Sequence, residues 1–367
     1  MSVVLWHGDA RGKLRLMSAR GDKVHSCVTD PPYHIESIAK RFGKKTSARA
    51  KHGRDGAFAR QSAGFHGRNW DAADPHGVLI AQDPEFWRLV SDVLYPGAYV
   101  VAFAGARSYH RMANAIEAAG FVTHPMIGWL YGSGMPKAHS AQKALHRLGV
   151  ESASWSGWYY GTQARKPALE PIFVGQKPFS EASGARNISV HGVGAVNIDN
   201  NRAPGGRWPA NLMHDGSDMV DAVLPRNTKE FFESFPFEAT PAIYCPKPNK
   251  KEKGDSGHPT VKPLDLMRAL VRHVTPPGGI VLDPFAGTGT TGVAASAEKL
   301  RAVLIEQEVE YISPARQRLG LAPLPIGWGS PYAELLGVEA CRYCGNSGWF
   351  YGEVEFGPCE CKTYSLP

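Results

Sequence analysis

The sequence has no run of eighteen or more apolar residues, and His7, Asp9 and Arg11 interrupt its first apolar stretch. A membrane-spanning helix and a secretory leader are therefore not expected, no membrane is expected among its partners, and the chain reads as cytoplasmic. Cysteine is sparse, six in 367 residues, which in such a setting points away from a disulfide framework. No internal repeat is visible. Glycine and proline, at 40 and 28, are plentiful for a compact domain yet short of a disordered composition, so long loops are expected around a packed core.

Apolar runs at 3–6 and 24–29 read as strands that stop abruptly, at Gly8-Asp9 and at Asp30-Pro31-Pro32-Tyr33. Phe86, Trp87, Leu89, Val90, Val93 and Leu94 share a helical face that Pro96-Gly97 would close. Strands are predicted at 98–104, 126–131, 171–175, 280–282 and 302–305, and helices at 110–119, 264–274 and 290–299. Strands alternating with helices predict an α/β fold with a mostly parallel sheet covered on both faces. The net charge of +7 is concentrated: residues 40–68 carry nine Lys or Arg against Asp55 alone. With five glycines and no apolar period, the surrounding stretch 37–75 reads as a flexible basic loop. Lys44, Lys45, Arg49 and Lys51 in it are candidates for contacts to nucleic-acid phosphates.

Two motifs carry chemistry. Asp283-Pro284-Phe285-Ala286-Gly287-Thr288-Gly289 follows a buried strand and opens a helix, a turn in which glycines let backbone N–H groups approach a ligand. It lacks the GK[ST] ending of a phosphate-binding loop. About twenty residues on, Glu306 ends the next strand, where a carboxylate can accept both hydroxyls of a ribose. In Asp30-Pro31-Pro32-Tyr33 the two prolines fix an extended backbone, so that a carboxylate, a main-chain carbonyl and an aromatic ring keep a set arrangement. An exocyclic amine offers two hydrogens, and this arrangement offers two acceptors and a stacking face.

These motifs, in this order, resemble the beta-class amino-group DNA methyltransferases. Gly8-Asp9, Trp129-Leu130-Tyr131-Gly132, Glu170-Pro171-Ile172, Arg207-Trp208-Pro209 and His258-Pro259-Thr260-Val261-Lys262-Pro263 add to the likeness. The resemblance implies a doubly wound, circularly permuted seven-stranded sheet of the class I methyltransferase type. It also implies S-adenosylmethionine as cofactor and double-stranded DNA as substrate. By the same resemblance Asp30, Pro31, Pro32 and Tyr33 are catalytic. Asp9, Asp30, Thr260, Lys262, Asp283, Phe285, Gly287, Gly289 and Glu306 serve the cofactor. Transfer to N6 of adenine, with the base rotated out of the duplex, is the implied reaction; N4 of cytosine is the alternative. A non-catalytic DNA-binding protein and an RNA or protein-glutamine methyltransferase are further alternatives. A homodimer and a cognate restriction enzyme are the partners such a protein would have besides DNA.

The expected organisation is a first core segment, 1–180, a recognition region, 181–251, a second core segment, 252–325, and a tail, 326–367. Arg186, Asn200 and Arg202 are the recognition candidates, since such side chains can read guanine and adenine edges; residues 139–165 are the second candidate stretch. In the tail Cys341, Cys344, Cys359 and Cys361 form a four-thiolate set that reads as a knuckle holding one structural zinc.

Overall fold

The computed structural model describes residues 3–33, 78–132, 134, 136–224, 231–235, 261–321, 349–351 and 356–358. Strand β1 (Val3–His7) leads through helix α1 (Ala10–Arg20) to β2 (Val24–Thr29). Asp83 caps α2 (Pro84–Val93) by accepting from the Glu85 amide at 3.0 Å, and β3 (Leu94–Phe103) follows without a break. Next come α3 (Tyr109–Ala118) and β4 (Val122–Leu130). A small module then holds β5 (Lys137–Ser140), α4 (Ala141–Arg147) and β6 (Tyr159–Gln163). After it stand β7 (Leu169–Gln176), α5 (Gly184–His191), β8 (Leu212–His214), the single turn α6 (Asp218–Asp221) and β9 (Glu233–Ser234). The chain closes with α7 (Leu264–Val274), β10 (Ile280–Asp283), α8 (Thr290–Ala297), β11 (Arg301–Glu306), α9 (Val309–Arg318) and the hairpin β12 (Trp349–Tyr351) and β13 (Phe356–Pro358).

One sheet runs in the order β1-β11-β10-β2-β3-β7-β4-β8-β9. Strand β7 is antiparallel to both its neighbours and the other pairings are parallel. The sheet thus has nine strands among the described residues, against the seven that the resemblance implies. The two extra ones, β8 and β9, are three and two residues long and extend the β4 edge. Strands β10 and β11, late in the chain, lie between β1 and β2, which is the expected permutation.

Strand residues alternate between two apolar layers, as a period of two demands. Val28, Val101, Phe103, Val281 and Leu304 face α7, α8 and α9, while Cys27, Val100, Ala102, Leu282 and Ile305 face α1, α2 and α3. A sheet covered on both faces presents its ligand-binding edge at the strand carboxyl ends, beside the point where the chain order reverses. That point is at β10 and β2.

Two expectations are corrected. Pro96-Gly97 does not close the helix, which ends at Val93, but lies inside β3. Pairing with β2 jumps from Val24↔Leu94 to Ser26↔Tyr99, and Gly97, at φ 86°, takes up the slack in that bulge. Within 181–251, where no helix is predicted, stands α5, capped by Ser183 at its start and by left-handed Gly192 at its end.

Candidate active site

Asp283 is the last residue of β10 and its carboxylate is fully engaged. Thr29 Oγ1 donates to one oxygen at 2.7 Å, the Phe285 amide to the same oxygen at 3.1 Å, and Thr291 Oγ1 to the other at 2.5 Å. These bonds anchor the start of the glycine turn to β2 and to α8. Gly287 and Gly289 have φ of 52° and 79°, a region that side chains disfavour, and Arg318 Nη1 braces the turn through the Thr288 carbonyl at 2.9 Å and the Thr290 hydroxyl at 3.1 Å.

Glu306, ending β11, accepts from the Gly287 amide at 2.6 Å and the Glu308 amide at 2.7 Å. Asp9 stands at the next strand end, capping α1 by accepting from the Gly12 amide at 2.7 Å, while the Gly8 amide bonds the Glu306 carbonyl at 2.9 Å. Phe285 packs against Phe86 with ring centroids 5.2 Å apart, on the α2 side of the sheet.

Burial pushes the Asp283 carboxyl up to about 6, against the opposing pull of Thr291, Thr29 and the Phe285 amide and with help from the Asp30 charge. Burial likewise raises Glu306 to about 7, against its two amide donors, with Glu308 and Asp283 adding repulsion. Among the described residues neither acid has a cationic partner. Burial thus disfavours the charged form of both acids, and a cation brought beside them would favour it.

Asp30 follows β2, the strand beside β10, and its surroundings are different. Lys262, 8% exposed, places its ammonium 2.9 Å from Asp30 Oδ2, 3.2 Å from Glu170 Oε2 and 2.9 Å from the Tyr33 hydroxyl. Tyr33 in turn donates to Glu170 Oε2 at 3.3 Å, and Ser108 Oγ donates to the Tyr33 carbonyl at 2.8 Å. The ammonium also lies 4.9 Å from the Phe103 ring centroid. Burial would lower the Lys262 ammonium, but Asp30 and Glu170 outweigh it and hold it above its usual value, so the lysine stays charged. Burial and the same two carboxylates push the Tyr33 phenol well up, which keeps it a hydrogen-bond donor. One atom of the cluster stands apart: Asp30 Oδ1 is buried and has no hydrogen-bond partner among the described residues. A carboxylate oxygen in that position is incomplete until a donor reaches it.

The structure thus brings Asp9, Asp30, Pro31, Pro32, Tyr33, Lys262, Asp283, Gly287, Gly289 and Glu306 to one edge. Glu170, to which sequence pattern alone assigns no separate role, joins them. Its signal is an acid opening the apolar run 171–175, since a charge at the mouth of a buried strand needs a partner. Thr29 and Thr291 are likewise silent in the sequence. Thr260, Lys44, Lys45, Arg49, Lys51, Cys341, Cys344, Cys359 and Cys361 lie outside the described residues.

Arg186, Asn200 and Arg202 are placed elsewhere. Helix α5 is tied to the start of β3, with Asn187 Nδ2 donating to the Pro96 carbonyl at 2.8 Å. Residues 197–202 are tied to the end of α7, where the Asn197 amide donates to the His273 carbonyl at 2.8 Å and Arg272 reaches Asn201 at 3.2 Å. Both attachments are at the sheet end opposite Asp30. Arg202 spends its guanidinium on Asp199, at 2.8 Å, and on the Gly206 carbonyl, at 3.0 Å.

The chain is 28% identical over 318 residues to the type II methyltransferase M.HindIII of Haemophilus influenzae, covering 82% of this chain and 90% of that protein. It is 43% identical over 70 residues to the type II methyltransferase M.HinfI of Haemophilus influenzae, 19% of this chain and 20% of that one. Among solved structures it is similar to the M1.HpyAVI–SAM complex, with 20% identity, a TM-score of 0.48 and coverage of 87% and 100%. It is also similar to the cytosine-N4-specific PvuII DNA methyltransferase, with 16% identity, a TM-score of 0.47 and coverage of 87% and 86%. A family model described as DNA methylase, for the N6/N4 methyltransferases, matches residues 24–317, and the chain belongs to that family.

Proposed function

We propose that this protein transfers a methyl group from S-adenosylmethionine to N6 of adenine in double-stranded DNA, at a base rotated out of the helix. The observation that carries this reading is the buried, unpartnered Asp30 Oδ1 beside an ion-paired Oδ2. Lys262 fixes the carboxylate's orientation and leaves one oxygen for one N–H of the target amine, and the Pro31 carbonyl is assigned the other N–H. Tyr33, held by Lys262 and Glu170, offers its ring to the extruded base, where stacking offsets the few kcal/mol lost on unstacking it. Positioning supplies most of the rate. As nitrogen gains the methyl group it becomes acidic, and the proton it sheds goes to Asp30 Oδ1. With one cation between two carboxylates, the cluster keeps a net negative charge that favours the positive charge growing on the amine.

The cofactor fits the other half of the edge. Glu306 and Asp283 stand there without a counter-cation among the described residues, which suits a sulfonium, and Glu306 sits where ribose hydroxyls can reach it. Asp9, Gly287 and Gly289 complete its walls, with Thr260 assigned to its methionine end and Phe285 bracing the turn from the α2 side. When bound, the cofactor supplies an electrophilic methyl group on sulfur.

The aspartate-first motif favours adenine over cytosine in this family, and sequencing that reports the modified base in DNA from cells expressing the protein tests the choice. N6-methyladenine at one sequence context is expected; N4-methylcytosine would overturn the assignment. For the tail, β12 and β13 pair Trp349 with Pro358, so the chain doubles back between the two cysteine pairs, in keeping with a zinc knuckle of structural role. One zinc per chain by elemental analysis is expected, and none would remove it. The likeness to type II methyltransferases supports a cognate restriction enzyme as a partner, a pairing tested by whether the methylated site resists a nuclease from the same source.

A further inference from the structure

Residues 131–168 leave the sheet at the end of β4 and return at the start of β7, the strand whose second residue, Glu170, contacts Lys262. The neck is tightly built. The Tyr131 amide donates to the Ala168 carbonyl at 3.1 Å and the Gly132 amide to Asp215 Oδ2 at 2.8 Å. A Cβ at Gly134 would fall 1.7 Å from the Pro167 carbonyl oxygen, so only glycine lets the two arms pass so closely. The module is therefore fixed at the catalytic edge.

Beyond the neck it has almost no interior. Among the described residues of 136–166 only Ser152 is buried. Trp155, Trp158, Tyr159 and Tyr160 are 45%, 62%, 62% and 53% exposed, with Trp155 and Trp158 edge to face at 5.8 Å. Four exposed aromatic rings in so short a stretch mark a surface that a partner covers. Its charge names the partner's sign: Lys137, Lys143, Arg147, Arg165 and Lys166 stand against Glu151 alone. Two copies of this face would repel each other, and a polyanion would not.

We infer that this module is the surface that grips duplex DNA beside the target base, an inference that rests on the DNA methylation reading. Its basic side chains take backbone phosphates, and the Trp158, Tyr159 and Tyr160 rings lie against base edges or the gap left by the rotated nucleotide. The surface so assigned differs in place from Arg186, Asn200 and Arg202, which stand at the opposite end of the sheet.

The test uses the full chain, a duplex carrying the methylated context, and three variants: Lys143→Ala/Arg147→Ala/Arg165→Ala, Trp158→Ala/Tyr159→Ala, and Arg147→Ala alone. Duplex affinity is measured across a salt series and cofactor affinity by calorimetry. The triple variant should lower the salt slope by roughly 0.9 for each phosphate no longer neutralised, about 2.7 in all. Arg147→Ala, at an exposed helix position, should lower it by about one and still decides the matter if the multiple variants fail to fold. The aromatic variant should weaken duplex binding about tenfold or more with the slope retained. Cofactor affinity should stay at the parent value throughout.

Parental slopes and affinities in all variants would overturn the inference while leaving the methylation reading intact. A change in molar mass by light scattering in the aromatic variant, with unchanged duplex binding, would reassign the face to a protein partner and also overturn it. If the parent binds duplex through these residues yet transfers no methyl group, the surface stands and the methylation reading falls.

Discussion

The two halves of the catalytic edge treat their carboxylates in opposite ways. At the half proposed to hold the cofactor, Asp283 and Glu306 accept hydrogen bonds on every oxygen, from hydroxyls and backbone amides, yet have no cation among the described residues. At the half proposed to take the target base, Asp30 and Glu170 share the cation of Lys262, yet Asp30 Oδ1 has no hydrogen bond among the described residues. One half has a donor on each oxygen but no cation; the other has a cation but one oxygen without a donor. Each half therefore awaits a different kind of group: a positive charge in the first, an N–H donor in the second.

Mutation should separate the two halves cleanly. Asp30→Ala should reduce methyl transfer by about three orders of magnitude or more, the scale of losing a positioned acceptor with a proton role, with cofactor affinity within a few fold. Single-turnover transfer and calorimetry measure the two quantities, and equal losses in both would merge the halves. Glu306→Ala should do the reverse, weakening the cofactor by roughly 10- to 100-fold while transfer at saturation persists, because hydrogen bonds to a charged group are removed on one side only.

Glu170→Gln probes the target half more finely. It leaves the shape but moves all of the Lys262 charge onto Asp30, and kcat should fall roughly tenfold with little change in KM for DNA or in cofactor affinity. A change in KM alone would make Glu170 a structural residue. The smallest expected effect is in pH. Glu306 and Asp283 have raised values of about 7 and about 6, so they lose charge as pH falls through that range. Cofactor affinity should be full from about one unit above pH 7 and decline a few fold as pH falls through 7 toward 6, and the decline should flatten in Glu306→Gln. An affinity that rises on acidification would contradict the sign.

Local chemistry is readable in the sequence, and spatial assignment is not. Asp30-Pro31-Pro32-Tyr33 and the turn from Asp283 to Gly289 carry their geometry in adjacent residues, so their placement at strand ends follows from the chain itself. The contact of Lys262 with Glu170 joins residues far apart in sequence, and no spacing rule relates them. Pro96-Gly97 looks like a helix stop because the bulge that absorbs it depends on register with β2. Arg186, Asn200 and Arg202 show the same limit from the other side. Composition gives side chains able to read bases, but which end of the sheet they occupy is decided by Asn187 bonding Pro96 and by Asn197 bonding His273.

The role of Asp30 is tested most directly by nucleoside mass spectrometry of duplex DNA after reaction with labelled S-adenosylmethionine, for the parent and for Asp30→Asn side by side. Asparagine keeps the size of the side chain but loses the charge that pairs with Lys262 and the oxygen that can hold the shed proton. The expected outcome is labelled N6-methyladenine from the parent and a rate lower by about two orders of magnitude or more from Asp30→Asn at equal cofactor occupancy. Equal label from both proteins, or label on cytosine N4, would contradict it.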